Sequence, residues 1–155
     1  MRDVEKLVQA HLKAWTIPDR GERAAEIARV YTQDVTIVEP DGVLHGRDAL
    51  NTRIGQLQQL FSGLGFSVNS LIEHHHDYAM YEWRQPTAIG SEDVTGWDVL
   101  HFDGDLIDQT VMFIPGFDRL NMPAHPGRER LRRVQAQDLA LSLISGCAAA
   151  YAKPA

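Results

Sequence analysis

Cysteine is the scarcest residue of consequence in this chain. Cys147 is the single cysteine among 155 residues, which excludes an intrachain disulfide. Positive charge is also in short supply: 15 Lys and Arg stand against 21 Asp and Glu, for a net charge of −6. Such a balance leaves no electrostatic footprint for nucleic acid. The one basic cluster, Arg128 to Arg133, is short and contains Glu129, and it reads as the solvated face of a helix rather than a binding patch. No apolar run reaches the length of a membrane span. The stretch from Leu139 to Ala150 comes nearest, but Ser142, Ser145 and Gly146 interrupt it. The N-terminus, Met1-Arg2-Asp3-Val4-Glu5-Lys6, lacks the apolar run of a signal peptide, so the expected compartment is the cytoplasm and no membrane partner is expected. There is no Gly-rich phosphate loop and no Gly-x-Ser-x-Gly elbow, which removes the signatures of nucleotide binding and of serine hydrolysis.

What is present fits a single globular domain. Hydrophobic residues make up 44% and charged residues 23%, both ordinary proportions, and the length suits one domain with a core and a pocket. Val4, Leu7, Val8, Leu12 and Trp15 follow helical spacing, with His11 on the same stripe. Pro18-Asp19 ends that helix and begins a second, whose apolar face is Ala24, Ile27, Ala28 and Tyr31. A strand follows and ends at Glu39. Leu44 to Gly46 lead into a third helix with Leu50, Ile54, Leu57 and Phe61 on one side, broken by Gly63 and Gly65. The period then changes to two. Strands are expected near 66–74, 78–87, 94–103 and 106–114, joined as an antiparallel meander, with Asp103-Gly104 as a strong hairpin signal. Phe117 to Gly127 reads as loop, and Arg128 to about Ala149 as a final helix carrying Cys147 as a packing residue. The expected class is α+β, with helices on one face of a strongly curved antiparallel sheet.

Three polar residues fall on otherwise apolar faces. Alternate side chains of a strand share a face, so Val35, Ile37 and Glu39 point together, and Pro40 fixes the strand end. A carboxylate on a buried face is either paired, for instance with a local arginine, or carries a raised pKa and can move protons. Asp98 alternates with Gly96, Leu100 and Phe102; it is a donor or second carboxylate, or a structural group bonding the backbone. His11 is their partner, or a satisfied core histidine. Tyr81 and Trp83 alternate with Glu82 and Arg84 and are expected to line the cavity, as are Gln109, Val111 and Phe113 on the last strand. A slip of one residue in strand 78–87 would exchange these faces. His74-His75-His76 superficially suggests a metal site, but adjacent strand residues face opposite ways, so the run reads as a polar strand end and no metal is expected.

Several blocks resemble the NTF2-like superfamily, which includes SnoaL-like cyclases and ketosteroid isomerases. They are Ala14-Trp15, Tyr31-Thr32-Gln33-Asp34-Val35, Pro40-Asp41-Gly42, His45-Gly46-Arg47-Asp48-Ala49-Leu50, and Gly96 through Ile107. The resemblance covers about residues 3–114. It implies a cone-shaped domain over residues 1–116; residues 117–155 have no counterpart in it and are expected, from their own pattern, as a C-terminal loop and helix packed on the same domain. Among members, the polar positions are most similar to ketosteroid isomerase, where a carboxylate is the base and a tyrosine and a protonated aspartic acid donate to the oxyanion. The resemblance places the base at Glu39 and the acidic donor at Asp98, while the tyrosine position falls at His11. The aspartates of the epoxide-hydrolase and SnoaL-cyclase patterns have no counterpart on the later strands.

The implied function is a cofactor-independent proton-transfer enzyme of isomerase, cyclase or dehydratase type, with Glu39, Asp98 and His11 catalytic. The substrate would be a small, apolar or polycyclic carbonyl compound, contacted by Trp15, Tyr31, Phe61, Tyr81, Trp83, Leu100, Gln109, Val111 and Phe113. The alternative is a non-catalytic binding or interaction module of the same fold. A homodimer through the outer sheet face is expected, because Trp97, Val99, Thr110 and Met112 would make that face apolar.

Overall fold

Each of the first two helices opens on an aspartate cap. In the computed structural model, which describes residues 2–60, 65–86 and 93–117, Asp3 accepts the Lys6 N–H at the start of α1 (Val4–Thr16). Asp19 accepts the Glu22 N–H at the start of α2 (Arg20–Val30). These bonds satisfy amide groups that a helix N-terminus leaves unpaired. Helix α3 spans Arg47–Leu60.

The strands are β1 (Tyr31–Glu39), β2 (Gly42–His45), β3 (Ser67–Val68), β4 (Glu73–His75), β5 (Tyr78–Gln85), β6 (Val94–Asp103) and β7 (Leu106–Phe113). They form one open sheet in the order β2-β1-β7-β6-β5-β3, with β4 also paired to β5. The meander β5-β6-β7 is antiparallel, but β1 lies parallel to β7. The sheet is therefore mixed rather than wholly antiparallel. The chain between β1 and β7 contains α3 and all the other strands, ample length for a parallel return.

The strand expected over 66–74 is split into β3 and β4. Between them the Ser70 hydroxyl accepts the Glu82 N–H at 2.8 Å, so a side chain replaces the backbone acceptor that a continuous strand would supply. The helices cover the inner face, where Val8, Trp15, Ile27, Ile37, Leu50, Ile54, Tyr81 and Leu100 are buried in one core.

Strand β7 departs most from its expected phase. Phe102 pairs with Ile107 but His101 pairs with Gln109, leaving Asp108 as an extra residue. A bulge of this kind reverses the facing of everything beyond it. Thr110 and Met112 therefore point inward and are buried, whereas Gln109 and Phe113 are exposed and Val111 is half-buried. The expected wall of Gln109, Val111 and Phe113 thus lies on the outer face, and Thr110 and Met112 leave the expected outer patch. Strand β5 has the expected phase, with Tyr81 and Trp83 buried and Arg84 exposed. The expected C-terminal helix, Cys147 and Phe61 lie outside the described residues.

Candidate functional site

Alternation along β1 buries Val35, Ile37 and Glu39 together. The hairpin Pro40-Asp41 follows at once, pairing Glu39 with Gly42, so the carboxylate sits at the strand's end where helix α3 passes over it. Arg53 lies on the stripe of α3 that also carries Leu50 and Leu57, and is only 1% exposed. Its Nε donates to Glu39 Oε2 at 2.8 Å, and its Nη2 lies 3.7 Å from Asp41 Oδ1, an ionic contact too long for a hydrogen bond. Burial raises the Glu39 pKa from 4.5 to about 7; Arg53 pulls it down less than burial pushes it up, and Asp41 adds to the rise. Desolvation outweighs the ion pair here because the charged form loses more hydration than one arginine restores.

A second polar group is built around Asp98, which faces inward on β6 as the alternation predicts. Trp83 Nε1 donates to Oδ1 at 3.0 Å and the Tyr81 hydroxyl to Oδ2 at 2.9 Å. His11 Nε2 lies 3.1 Å from Oδ2. On the other side of the imidazole, Nδ1 is 2.7 Å from the Tyr31 hydroxyl, which itself accepts from Trp15 Nε1 at 3.3 Å. The Tyr31 hydroxyl can donate to His11 Nδ1 or accept from it, so the imidazole tautomer decides whether Nε2 donates to Asp98 or accepts from it. Burial keeps both phenols protonated, raising the Tyr31 and Tyr81 pKa values well above the usual range, with the Asp98 charge adding to the rise.

Two donors, Trp83 Nε1 and the Tyr81 hydroxyl, thus converge on Asp98, with His11 Nε2 beside them. Gly96 makes room for the Trp83 member of the group: a Cβ there would come within 2.3 Å of Trp83 Cζ2.

Both polar groups border one mostly apolar cavity of about 80 Å³, lined by His11, Trp15, Glu39, Arg53, Trp83 and Asp98 together with Leu57, Phe66, Met112 and other residues. All three residues expected to be catalytic therefore face the same space. Of the expected contact residues, Trp15 and Trp83 line it. Tyr31, Tyr81 and Leu100 are buried outside the lining, the two tyrosines holding His11 and Asp98. Among the lining residues not anticipated as site residues, Arg53 and Met112 stand out. Arg53 had a sequence signal: a cation on the apolar stripe of a helix that follows a strand ending in Glu. Met112 had none, because the bulge at Asp108 sets its facing. Among the described residues no group of His, Cys, Asp and Glu could hold a metal ion, and His74 and His75 are exposed at the β4 end.

Residues 8–110 match the family model of the SnoaL-like domain. No curated protein matches the chain. Solved structures similar to it include a proposed isomerase of the SnoaL-like family from Agrobacterium tumefaciens, at 23% identity and a TM-score of 0.66, covering 72% of this chain and 96% of that one. A protein with a ketosteroid isomerase-like fold from Catenulispora acidiphila, solved with trimethylamine, is similar at 14% identity and a TM-score of 0.59, covering 73% and 86%. A proposed SnoaL-like polyketide cyclase from Jannaschia sp. is similar at 11% identity and a TM-score of 0.59, covering 74% and 89%. At these identities the structures establish the α+β, NTF2-like fold alone.

Proposed function

The chain belongs to the SnoaL-like domain family, and from that premise we propose that it is a cofactor-independent proton-transfer enzyme of isomerase, cyclase or dehydratase type. Its substrate in this reading is a small, mostly apolar carbonyl compound. The observation that carries the reading is Glu39, a carboxylate with a pKa of about 7 on the wall of a mostly apolar cavity. A general base works best when its pKa lies near the operating pH, and a well-placed base contributes roughly 10²- to 10⁴-fold in rate. Glu39 removes a proton from the carbon beside the carbonyl and returns it to another carbon or to a leaving group. His11 and Asp98 act as positioning residues, since both imidazole nitrogens and both carboxylate oxygens are already engaged. The isomerase and polyketide-cyclase descriptions of the Agrobacterium and Jannaschia proteins support the same class.

The cavity of about 80 Å³ is open on one side, so it can hold the reacting end of a small ketone or of a larger one that extends from the mouth. The test is exchange of α-hydrogens for deuterium in small ketones, followed by NMR. Glu39→Gln abolishes exchange if the reading is right, and an unchanged exchange rate refutes it.

A non-catalytic binding module is the second reading. It is favoured by the saturation of Asp98 and by the pairing of Glu39 with Arg53. It requires ligand affinity that is flat between about pH 5 and 8 and indifferent to Glu39→Gln. In either reading we propose a homodimer through the outer sheet face, where Met80, Trp97 and Phe113 are exposed beside half-buried Val99 and Val111.

A further inference from the structure

The Arg53 guanidinium is among the most deeply buried large side chains, at 1% exposure, and it borders the cavity. Its Nε serves Glu39 and its Nη2 faces Asp41, but its Nη1 is buried with no hydrogen-bond partner among the described residues. A buried donor on a charged group that lacks an acceptor is costly, and native structures rarely keep one without a use. The same cavity is lined by apolar residues such as Leu57 and Met112 as well as by polar ones.

We propose that Arg53 Nη1 is the donor that receives the substrate's carbonyl oxygen, which makes Arg53 a catalytic residue and the substrate a neutral ketone or aldehyde rather than a carboxylate. This assignment deepens the proton-transfer reading and rests on it for the chemistry. The guanidinium already carries two carboxyl neighbours, Glu39 and Asp41. A further carboxylate would add like charge to that group in a low-dielectric setting, whereas a neutral carbonyl supplies an acceptor without charge. The step balances without a co-reactant. Glu39 takes the α-proton and becomes a carboxylic acid. The C–H pair forms the C=C bond, and the carbonyl π pair moves to oxygen as an enolate held by Nη1–H. Collapse of the enolate with return of the proton regenerates the carboxylate. A donor already fixed beside the developing oxyanion stabilises it without reorganisation at the moment of reaction.

The experiment uses butanone labelled with ¹³C at the carbonyl, its isostere 2-methyl-1-butene, and propionate, with the full chain. Affinity is measured by NMR titration, hydrogen bonding by the carbonyl ¹³C shift of bound butanone, and proton abstraction by α-deuterium exchange. The expected result is butanone binding about tenfold to a hundredfold tighter than the alkene, a downfield carbonyl shift on binding, and propionate weakest of the three. Arg53→Lys should retain part of the shift and Arg53→Met should abolish it. If Arg53→Met does not fold, the wild-type comparison of butanone with the alkene still decides the matter. Equal affinity for the two, absence of the shift, or tighter binding of propionate each overturns the assignment. The wild type and Glu39→Gln together separate the two ideas: a carbonyl shift without exchange in the wild type supports the Arg53 donor and refutes the Glu39 base. Exchange that Glu39→Gln abolishes, with no carbonyl shift, does the reverse.

Discussion

Arg53 Nε and Glu39 Oε2 meet at 2.8 Å, with the two side chains 1% and 5% exposed. Even this pairing leaves the Glu39 carboxyl at a pKa of about 7. A titration near neutrality then follows for both activity and stability. If Glu39 is the base, kcat/KM for a small ketone rises with pH through about 7 and levels above it. Glu39→Gln is expected to be inactive across the range, and a flat profile for the wild type would remove the assignment.

Stability runs in the opposite direction. The folded pKa of Glu39 is raised from 4.5 to about 7, so between these values the folded state holds more protons than the unfolded one. Its contribution is complete below about pH 4.5 and declines as pH rises through about 7. The stability of the wild type relative to Glu39→Gln should fall across this window by on the order of 3 kcal/mol. Urea denaturation of both proteins at several pH values measures it, and a difference that grows with pH would contradict the burial-driven shift.

Asp98→Ala strands two donors, on Tyr81 and Trp83, and removes the partner of His11 Nε2. The cost is expected to exceed that of one lost hydrogen bond, about 3 kcal/mol or more. Asp98→Asn keeps the volume but offers one oxygen in place of two, and should cost roughly 1–3 kcal/mol. Thermal unfolding separates the two variants. Equal and small losses would mean that the network contributes little.

Gly96→Ala tests how the cavity wall is held. The added methyl would lie 2.3 Å from Trp83 Cζ2 and 2.9 Å from the Phe113 carbonyl oxygen, so the indole must move. Overpacking of this kind costs roughly 1–3 kcal/mol. It should also lengthen or break the Trp83–Asp98 bond, which tryptophan fluorescence and the indole N–H resonance report. Unchanged spectra would show that the wall can adapt.

The outer face offers a separate test. Trp97 pairs with Phe113, and Met80, Val99 and Val111 form the adjoining row. If a second copy covers this patch, Phe113→Lys should yield a monomer in sedimentation equilibrium while the far-ultraviolet spectrum is retained. A wild-type monomer would end the dimer proposal.

Much of the framework can be read locally. The stripes through Val8, Leu12 and Trp15 and through Leu50, Ile54 and Leu57 have helical period, and Asp3 and Asp19 cap their helices where capping chemistry predicts. The inward facing of Glu39, Tyr81, Trp83 and Asp98 follows from alternation on regular strands. That rule fails at β7 because one extra residue at Asp108 reverses the phase, and nothing in Asp108-Gln109-Thr110 announces a bulge. The split of the strand expected over 66–74 is likewise set by where Ser70 meets β5.

The sequence by itself determined the α+β class, the helical and strand periods, and which polar residues would stand on apolar faces, because each depends on neighbours a few positions away. Only the tertiary structure decided which of those residues meet. Asp98 finds His11 across 87 positions of chain, and Glu39 finds Arg53 across 14. Sheet order, the parallel β1–β7 join and the crossing of α3 fix those encounters. The pKa of a buried carboxylate follows from its desolvation and from its charged and hydrogen-bonding neighbours, and packing sets all of these.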